Sequence, residues 1–259
     1  MSRLIASLRA TLVAGWVFFY VFTAGAVTVI HAWWTGRVLR LYRGAAWCVR
    51  VALWMAGIRL EVRGTENLPA EGPRIYMANH QSNVDPPILF VVLPERIAMM
   101  GKIQLFSIPV LGAALRLGDF VPVHREVKEE ARASVEEALK RFKRGVSLLV
   151  YPEGTRSYDG RLLPFKRGVF VLAIRAGVPI VPVTVDGATN VMAKRRWELY
   201  PGVVRITIHS PVETLGLTEE DRHRLAEEVR TIVASALPPE QRGEPTPASA
   251  AVAGLEEES

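Results

Sequence analysis

Twenty-seven consecutive residues, Ala10 to Gly36, contain no Asp, Glu, Lys or Arg. As a helix this run is about 40 Å long, more than the roughly 30 Å of bilayer hydrocarbon. It is rich in Val, Phe, Ala and Trp, with Trp16 and Tyr20 along it. Trp33 and Trp34 stand near its end, where interfacial aromatics are expected. A charge-free run of this length is more often membrane-embedded than buried in a soluble core. Behind it Arg40, Arg43, Trp47, Arg50 and Trp54 recur at steps of three and four and share one helix face. The opposite side carries Leu41, Ala45, Cys48, Val49, Ala52 and Leu53. This is the pattern of an amphipathic helix lying in a headgroup layer.

Three arrangements fit the pattern. The first helix spans the bilayer with the arginine-rich side in the cytoplasm, or the two helices dip as a hairpin into one leaflet. The third is a cleaved signal peptide with Ala24-Gly25-Ala26 as its cleavage site. Arg3 and Arg9 put positive charge at both ends and favour the hairpin. Apolar sequence from Val27 to Trp34 continues past the cleavage site and disfavours the signal peptide.

Charge supports the membrane. The chain of 259 residues has a formal net charge of +6. Residues 1–63 carry eight arginines against the single acid Glu61, whereas the tail from Pro238 carries five glutamates and one arginine. A basic patch suits nucleic acid or an anionic membrane surface, and the uncharged run beside it selects the membrane. We therefore expect membrane lipids and no nucleic acid as partners, at the cytoplasmic membrane with the active site facing the cytoplasm. Cys48 is the only cysteine, so no intramolecular disulfide forms. The five histidines are scattered, and no metal is expected.

From about residue 58 short apolar runs alternate with helical patterns. Strands are expected at Ile58–Val62, Arg74–Ala78, Arg96–Met100, Phe120–Val123, Ser147–Tyr151, Ile180–Val185 and Val203–Ile208. Helices are expected at Asp85–Val92 and Lys166–Ala176, from about Val127 to Phe142, and from about Thr218. This is an α/β domain with a central mixed, mostly parallel sheet flanked by helices. The division is 1–57 membrane-embedded or interfacial, 58–237 the α/β domain, and 238–259 a disordered tail rich in Pro, Ala, Gly, Ser and Glu.

Four segments carry chemistry. Asn79-His80-Gln81-Ser82-Asn83-Val84-Asp85-Pro86 follows a strand and opens a helix. A histidine titrates near neutral pH, and an acid on its other ring nitrogen fixes its tautomer. The plain alternative is a capping or core histidine beside a surface acid. Tyr151-Pro152-Glu153-Gly154-Thr155-Arg156-Ser157 closes another strand. Arg156 suits a phosphate and Gly154 a close backbone approach, against a plain turn with a surface ion pair. Gly101-Lys102 and His124-Arg125 add cations that alone read as solvated. Val178-Pro179-Ile180-Val181-Pro182-Val183 reads as a strand lining the site. No Gly-x-Ser-x-Gly, Gly-x-Gly-x-x-Gly or Walker segment occurs.

In this order and spacing, from about Gly64 to Val212, these segments resemble the glycerolipid acyltransferase family, most closely the 1-acylglycerol-3-phosphate acyltransferases. The resemblance implies acyl transfer from an acyl-CoA or acyl carrier protein thioester to a lysophospholipid hydroxyl, giving phosphatidic acid, with no cofactor. It implies that His80 and Asp85 are catalytic, and that Lys102, Arg125, Glu153, Gly154, Thr155 and Arg156 bind the acceptor. A His–Asp pair without a protein nucleophile implies direct attack by the acceptor's own hydroxyl and no acyl-enzyme. The chain departs from the family at His124, where many relatives carry an acid. A different lysolipid or glycerol 3-phosphate as acceptor, or a non-catalytic lipid-binding protein on the same fold, are the alternatives.

Overall fold

A computed structural model describes residues 2–69, 71–94, 96–123 and 128–243. Its N-terminal elements form a helical hairpin. Helix α1 (Arg3–Tyr20), a π turn (Val21–Gly25) and α2 (Ala26–Thr35) form one continuous helix. Only 11% of its most apolar window is buried, so it is not a core helix. Gly36, in the left-handed region at φ 68°, stops it. Helix α3 (Leu39–Ala56) then runs back antiparallel, with Trp16 Nε1 donating to the Cys48 carbonyl at 3.1 Å and Tyr20 facing Gly44. A Cβ on Gly44 would lie 2.5 Å from the Tyr20 hydroxyl, so a glycine is what lets the helices approach there.

The hairpin lies along the α/β domain. At one end Arg3 pairs with Glu198, Arg9 donates to the Leu199 carbonyl, and Leu199 N–H donates to the Ala6 carbonyl. Towards the other end the Tyr42 hydroxyl donates to the Gly118 carbonyl at 2.6 Å, and its ring stacks on Phe90. Ala10, Leu53 and Ala56 belong to the same buried cluster as the sheet residues Tyr76, Val183 and Val204. The line at residue 57 is thus one of composition, and packing runs across it.

The domain follows as β1 (Ile58–Arg63), β2 (Ile75–Ala78), α4 (Asp85–Val92), β3 (Ile97–Lys102), α5 (Leu111–Leu117), β4 (Val121–Val123), α6 (Lys128–Lys143) and β5 (Ser147–Val150). Then come α7 (Gly168–Ala176), β6 (Ile180–Asp186), α8 (Ala188–Val191), β7 (Gly202–Ile208) and α9 (Arg222–Ser235). The sheet has seven strands in the order β1-β7-β6-β2-β5-β3-β4. Every pairing is parallel except β6 with β7. This is the mixed, mostly parallel sheet expected. Strand alternation splits the core into two layers. Tyr76 and Ala78 face the layer of the hairpin and α4, while Ile75 and Met77 face that of α6, α7 and α9.

All seven expected strands are present within one or two residues at each end. Helix α5 is an addition that periodicity did not mark. It is short, and Gly112 within it allows close packing, since a Cβ there would sit 2.1 Å from the Phe106 carbonyl oxygen. Residues 238–243, assigned by composition to the tail, include a 3-10 turn at Pro239–Gln241 whose Gln241 carbonyl accepts from Leu162 N–H. Residues 244–259 lie outside the described residues.

Neighbouring strands β2 and β5 send their chain to opposite faces, β2 through α4 and β5 through α7. That opens a crevice beyond their carboxyl ends, the topological switch point where open α/β sheets bind ligands. Buried Asn79 fixes one wall of it. Its amide accepts from Val185 N–H at 2.7 Å and donates to the Val185 carbonyl at 2.8 Å, tying the end of β2 to β6. Replacing it strands both backbone groups away from water. We expect Asn79→Ala to lower unfolding stability by about 2–4 kcal/mol, read as a loss of melting temperature in detergent; an unchanged melt would show that these bonds are replaced.

Candidate active site

Asp85 is the first residue of α4, and its side chain is wholly buried. Its Oδ2 accepts three hydrogen bonds, each of 2.7 Å, from His80 Nδ1 and from the backbone N–H groups of Gln81 and Ser82. The six-residue loop between strand and helix therefore closes on the carboxylate that follows it. Pro86 at the helix start suits this turn, because it removes an N–H that has no partner there. Bonding at Nδ1 leaves the proton-free Nε2 of His80 for chemistry. That nitrogen has no partner among the described residues, and 13% of the side chain reaches solvent.

The loop after β5 holds His80 from three sides. The Tyr151 ring stacks on the imidazole with centroids 4.0 Å apart. The Glu153 carboxyl accepts from His80 N–H at 2.6 Å and from Leu163 N–H at 3.2 Å. Ser157 N–H donates to the His80 carbonyl at 2.8 Å. Glu153 is thus buried and consumed by the backbone of the first loop, not directed at solvent. Burial pushes its carboxyl up to about 8, against the pull of those two backbone N–H groups.

The serine hydroxyls of the loops are turned to structure, whereas the buried Tyr151 hydroxyl has no partner among the described residues. Ser82 Oγ donates to the Met192 carbonyl at 2.6 Å, and Ser157 Oγ donates to Asp159. Arg156 differs. Its Nη1 is buried with no hydrogen-bond partner among the described residues. A buried guanidinium donor without a partner is costly unless an anion completes it. Gly154 sits at φ 70°, and a Cβ there would lie 2.8 Å from Lys166 Nζ, so a second cation crosses the loop. A third, Lys194, donates to the Arg156 carbonyl, lies 3.4 Å from Thr155 Oγ1 and covers the Tyr158 ring at 3.7 Å.

The structure brings His80, Asp85, Glu153, Gly154, Thr155 and Arg156 into one crevice. Lys102 ends β3, at the same sheet edge and two strand spacings, about 10 Å, from β2. Arg125 and His124 lie outside the described residues. Sequence reasoning missed Lys166, Lys194 and the stacking role of Tyr151. Single lysines carry no local pattern, and only the chain fold brings residue 194 to residue 156. Among the described residues no group of three or more His, Cys, Asp or Glu is placed to hold a metal.

The two loops therefore bring a histidine with a fixed tautomer together with the cations Arg156, Lys166 and Lys194. An acyltransferase family model matches residues 59–186. The chain is 33% identical over 218 residues to the mouse (Mus musculus) 1-acyl-sn-glycerol-3-phosphate acyltransferase alpha, covering 83% of this chain and 75% of that one. It is 35% identical over 178 residues to the human (Homo sapiens) protein of the same name, covering 68% of this chain and 63% of the human one. The crystal structure of the 1-acyl-sn-glycerophosphate (LPA) acyltransferase, PlsC, from Thermotoga maritima superposes with a TM-score of 0.77 at 27% identity, covering 98% of this chain and 96% of that one.

Folding raises the Glu153 carboxyl above its unfolded value of 4.5 to about 8. Between those values the native state keeps a proton that the unfolded state releases, so stability falls as pH rises through this window. We expect the melting temperature of Glu153→Gln to decline less over that range than that of the wild type. Parallel declines would place the titrating group elsewhere.

Proposed function

Because the chain belongs to the acyltransferase family of these 1-acyl-sn-glycerol-3-phosphate acyltransferases, we propose that it acylates the free hydroxyl of 1-acylglycerol-3-phosphate to give phosphatidic acid. The observation that carries the reading is the His80 Nδ1–Asp85 Oδ2 bond of 2.7 Å, with Nε2 left without a partner and the loop of the unpaired Arg156 Nη1 tied to the His80 carbonyl through Ser157 N–H. In this mechanism Nε2 takes the proton of the acceptor hydroxyl as its oxygen attacks the thioester carbonyl of acyl-CoA or acyl-acyl carrier protein. Asp85 holds the ring and stabilises the imidazolium. The carbon–sulfur bond then breaks, and Nε2 returns the proton to the leaving thiolate. The loop hydroxyls of Ser82 and Ser157 are bonded elsewhere, which favours direct transfer over an acyl-enzyme. Arg156, with Lys194 and Lys166 beside it, grips the acceptor phosphate and converts an encounter into an oriented attack. Lys102 and Arg125 extend this positive edge. Glu153 acts through the backbone of His80 as a positioning residue.

The acceptor's chain keeps it in the bilayer, since withdrawing 16 carbons into water costs on the order of 10 kcal/mol. The hairpin meets that need. Leu8, Leu12, Phe18, Phe19, Trp33 and Trp34 lie exposed along it, while contacts at both ends hold it to the domain. A helix tied along the domain favours lying in one leaflet over crossing the bilayer, with the domain on the cytoplasmic side where the arginines stand.

The test is acyl transfer by the full chain in detergent, with labelled acyl-CoA and acyl-acyl carrier protein against 1-acylglycerol-3-phosphate, glycerol 3-phosphate and neutral lysolipids. We expect His80→Ala to lower kcat by about 10²–10⁴-fold, and Arg156→Ala to raise the acceptor KM about tenfold or more with little change for neutral lysolipids. Near-normal turnover in His80→Ala would remove the general-base role, and an unchanged KM in Arg156→Ala would remove the phosphate contact. Product only with a different acceptor would keep the mechanism and change the substrate.

A further inference from the structure

A second cationic cleft lies away from the reaction crevice. Arg43 and Arg50 on α3 and Arg96 in the turn before β3 line a cavity of about 100 Å³, walled by Tyr42, Phe90 and Val91. That volume has room for one phosphate group. All three arginines are exposed, and Arg96 sits at φ 69°, a left-handed backbone that an L residue adopts at a cost of about 1 kcal/mol. The cleft opens at the amino end of β3, whereas the reaction loops stand at the carboxyl ends of β2 and β5. The six residues of β3 alone put about 20 Å between those edges.

Guanidinium forks match phosphate oxygens in pairs, which argues for a phosphate ligand. The setting argues for a lipid phosphate. Trp47 and Trp54 share the α3 face of Arg43 and Arg50, and both indoles are exposed. Exposed indoles settle at headgroup depth, which places the cleft at the level of the lipid phosphates. Its apolar wall of Phe90 and Val91 suits the glycerol and upper acyl carbons beneath that phosphate.

We propose that Arg50 and Arg96, with Arg43, form a headgroup site for a net-anionic glycerophospholipid, separate from the acceptor site. It binds one lipid in the interface and fixes the hairpin's rotation against the bilayer. This inference does not depend on the acyl-transfer reading, because its readout is bound lipid.

The test reconstitutes the full chain in phosphatidylcholine vesicles with a minor share of phosphatidylglycerol, extracts it in mild detergent and counts bound lipids by native mass spectrometry. We expect one retained phosphatidylglycerol per chain, enriched about tenfold over its vesicle share. Arg50→Gln with Arg96→Gln should reduce retention to the vesicle share. Arg37→Gln with Arg59→Gln removes the same charge from outside the cleft and should leave the enrichment intact. Retention by the first pair, or equal loss in both pairs, would overturn the site in favour of diffuse surface attraction. Millimolar inorganic phosphate separates the sources: retained lipid supports a headgroup site, and lipid stripped by free phosphate overturns it. Far-UV circular dichroism melts of both pairs keep a folding failure from passing as lost binding.

Discussion

The Asp85 carboxylate organises the crevice. It gathers three N–H donors on one oxygen and is sealed from solvent. Buried Oδ1 has no partner among the described residues, so the carboxylate depends on the three bonds to Oδ2, and the loop from His80 to Asp85 has little freedom to adopt another shape. The same bonds set the imidazole's tautomer. Geometry that stabilises the fold here is the geometry that orients the imidazole for the proposed base role, and loss of the carboxylate disturbs both.

A second layer of constraint comes from β5. Its loop stacks Tyr151 on the ring of His80, places Glu153 under its backbone and receives its carbonyl at Ser157. The two carboxyls near His80 are kept different by their surroundings. Glu153 is buried among backbone donors and pushed towards the neutral form, while Asp85 faces the ring. Such a division leaves one acid to act on the imidazole and one to brace its backbone. The switch between β2 and β5 makes this crossing of loops possible, because α4 and α7 leave on opposite faces and clear the space between them.

Much of this was legible from the chain alone. Short apolar runs marked the strands, several of them rich in valine and isoleucine and bounded by Gly or Pro, and the charge-free run from Ala10 marked the hairpin's first helix. Spacing placed His80 and Asp85 at the two ends of one loop. Legibility ended where position depends on distant chain. The antiparallel entry of β7 beside β6 reverses a strand whose composition matches its parallel neighbours. Lys194 reaches the Arg156 carbonyl across 38 positions, and a lone lysine in the sequence shows nothing of this. Glu153 read as an acceptor ligand because the segment around it resembles one, yet its side chain is spent on N–H groups of His80 and Leu163. Helix α5 escaped because seven residues with an internal glycine show too little periodicity.

The hairpin's attachment has a consequence for how substrate arrives. Its amino end meets Glu198 and Leu199, in the segment that also carries Lys194 to the Arg156 loop. Its turn end lies near Gly118 and Phe90, beside the arginine cleft. One rigid pair of helices therefore links the reaction crevice and the second cationic cleft through the same packed layer. An exposed apolar face along that pair sets the depth of both at once. Under the proposed reaction, depth and rotation decide whether the acceptor's phosphate meets Arg156 while its acyl chain stays among lipids, and a helix free to cross the bilayer alone would not impose that geometry.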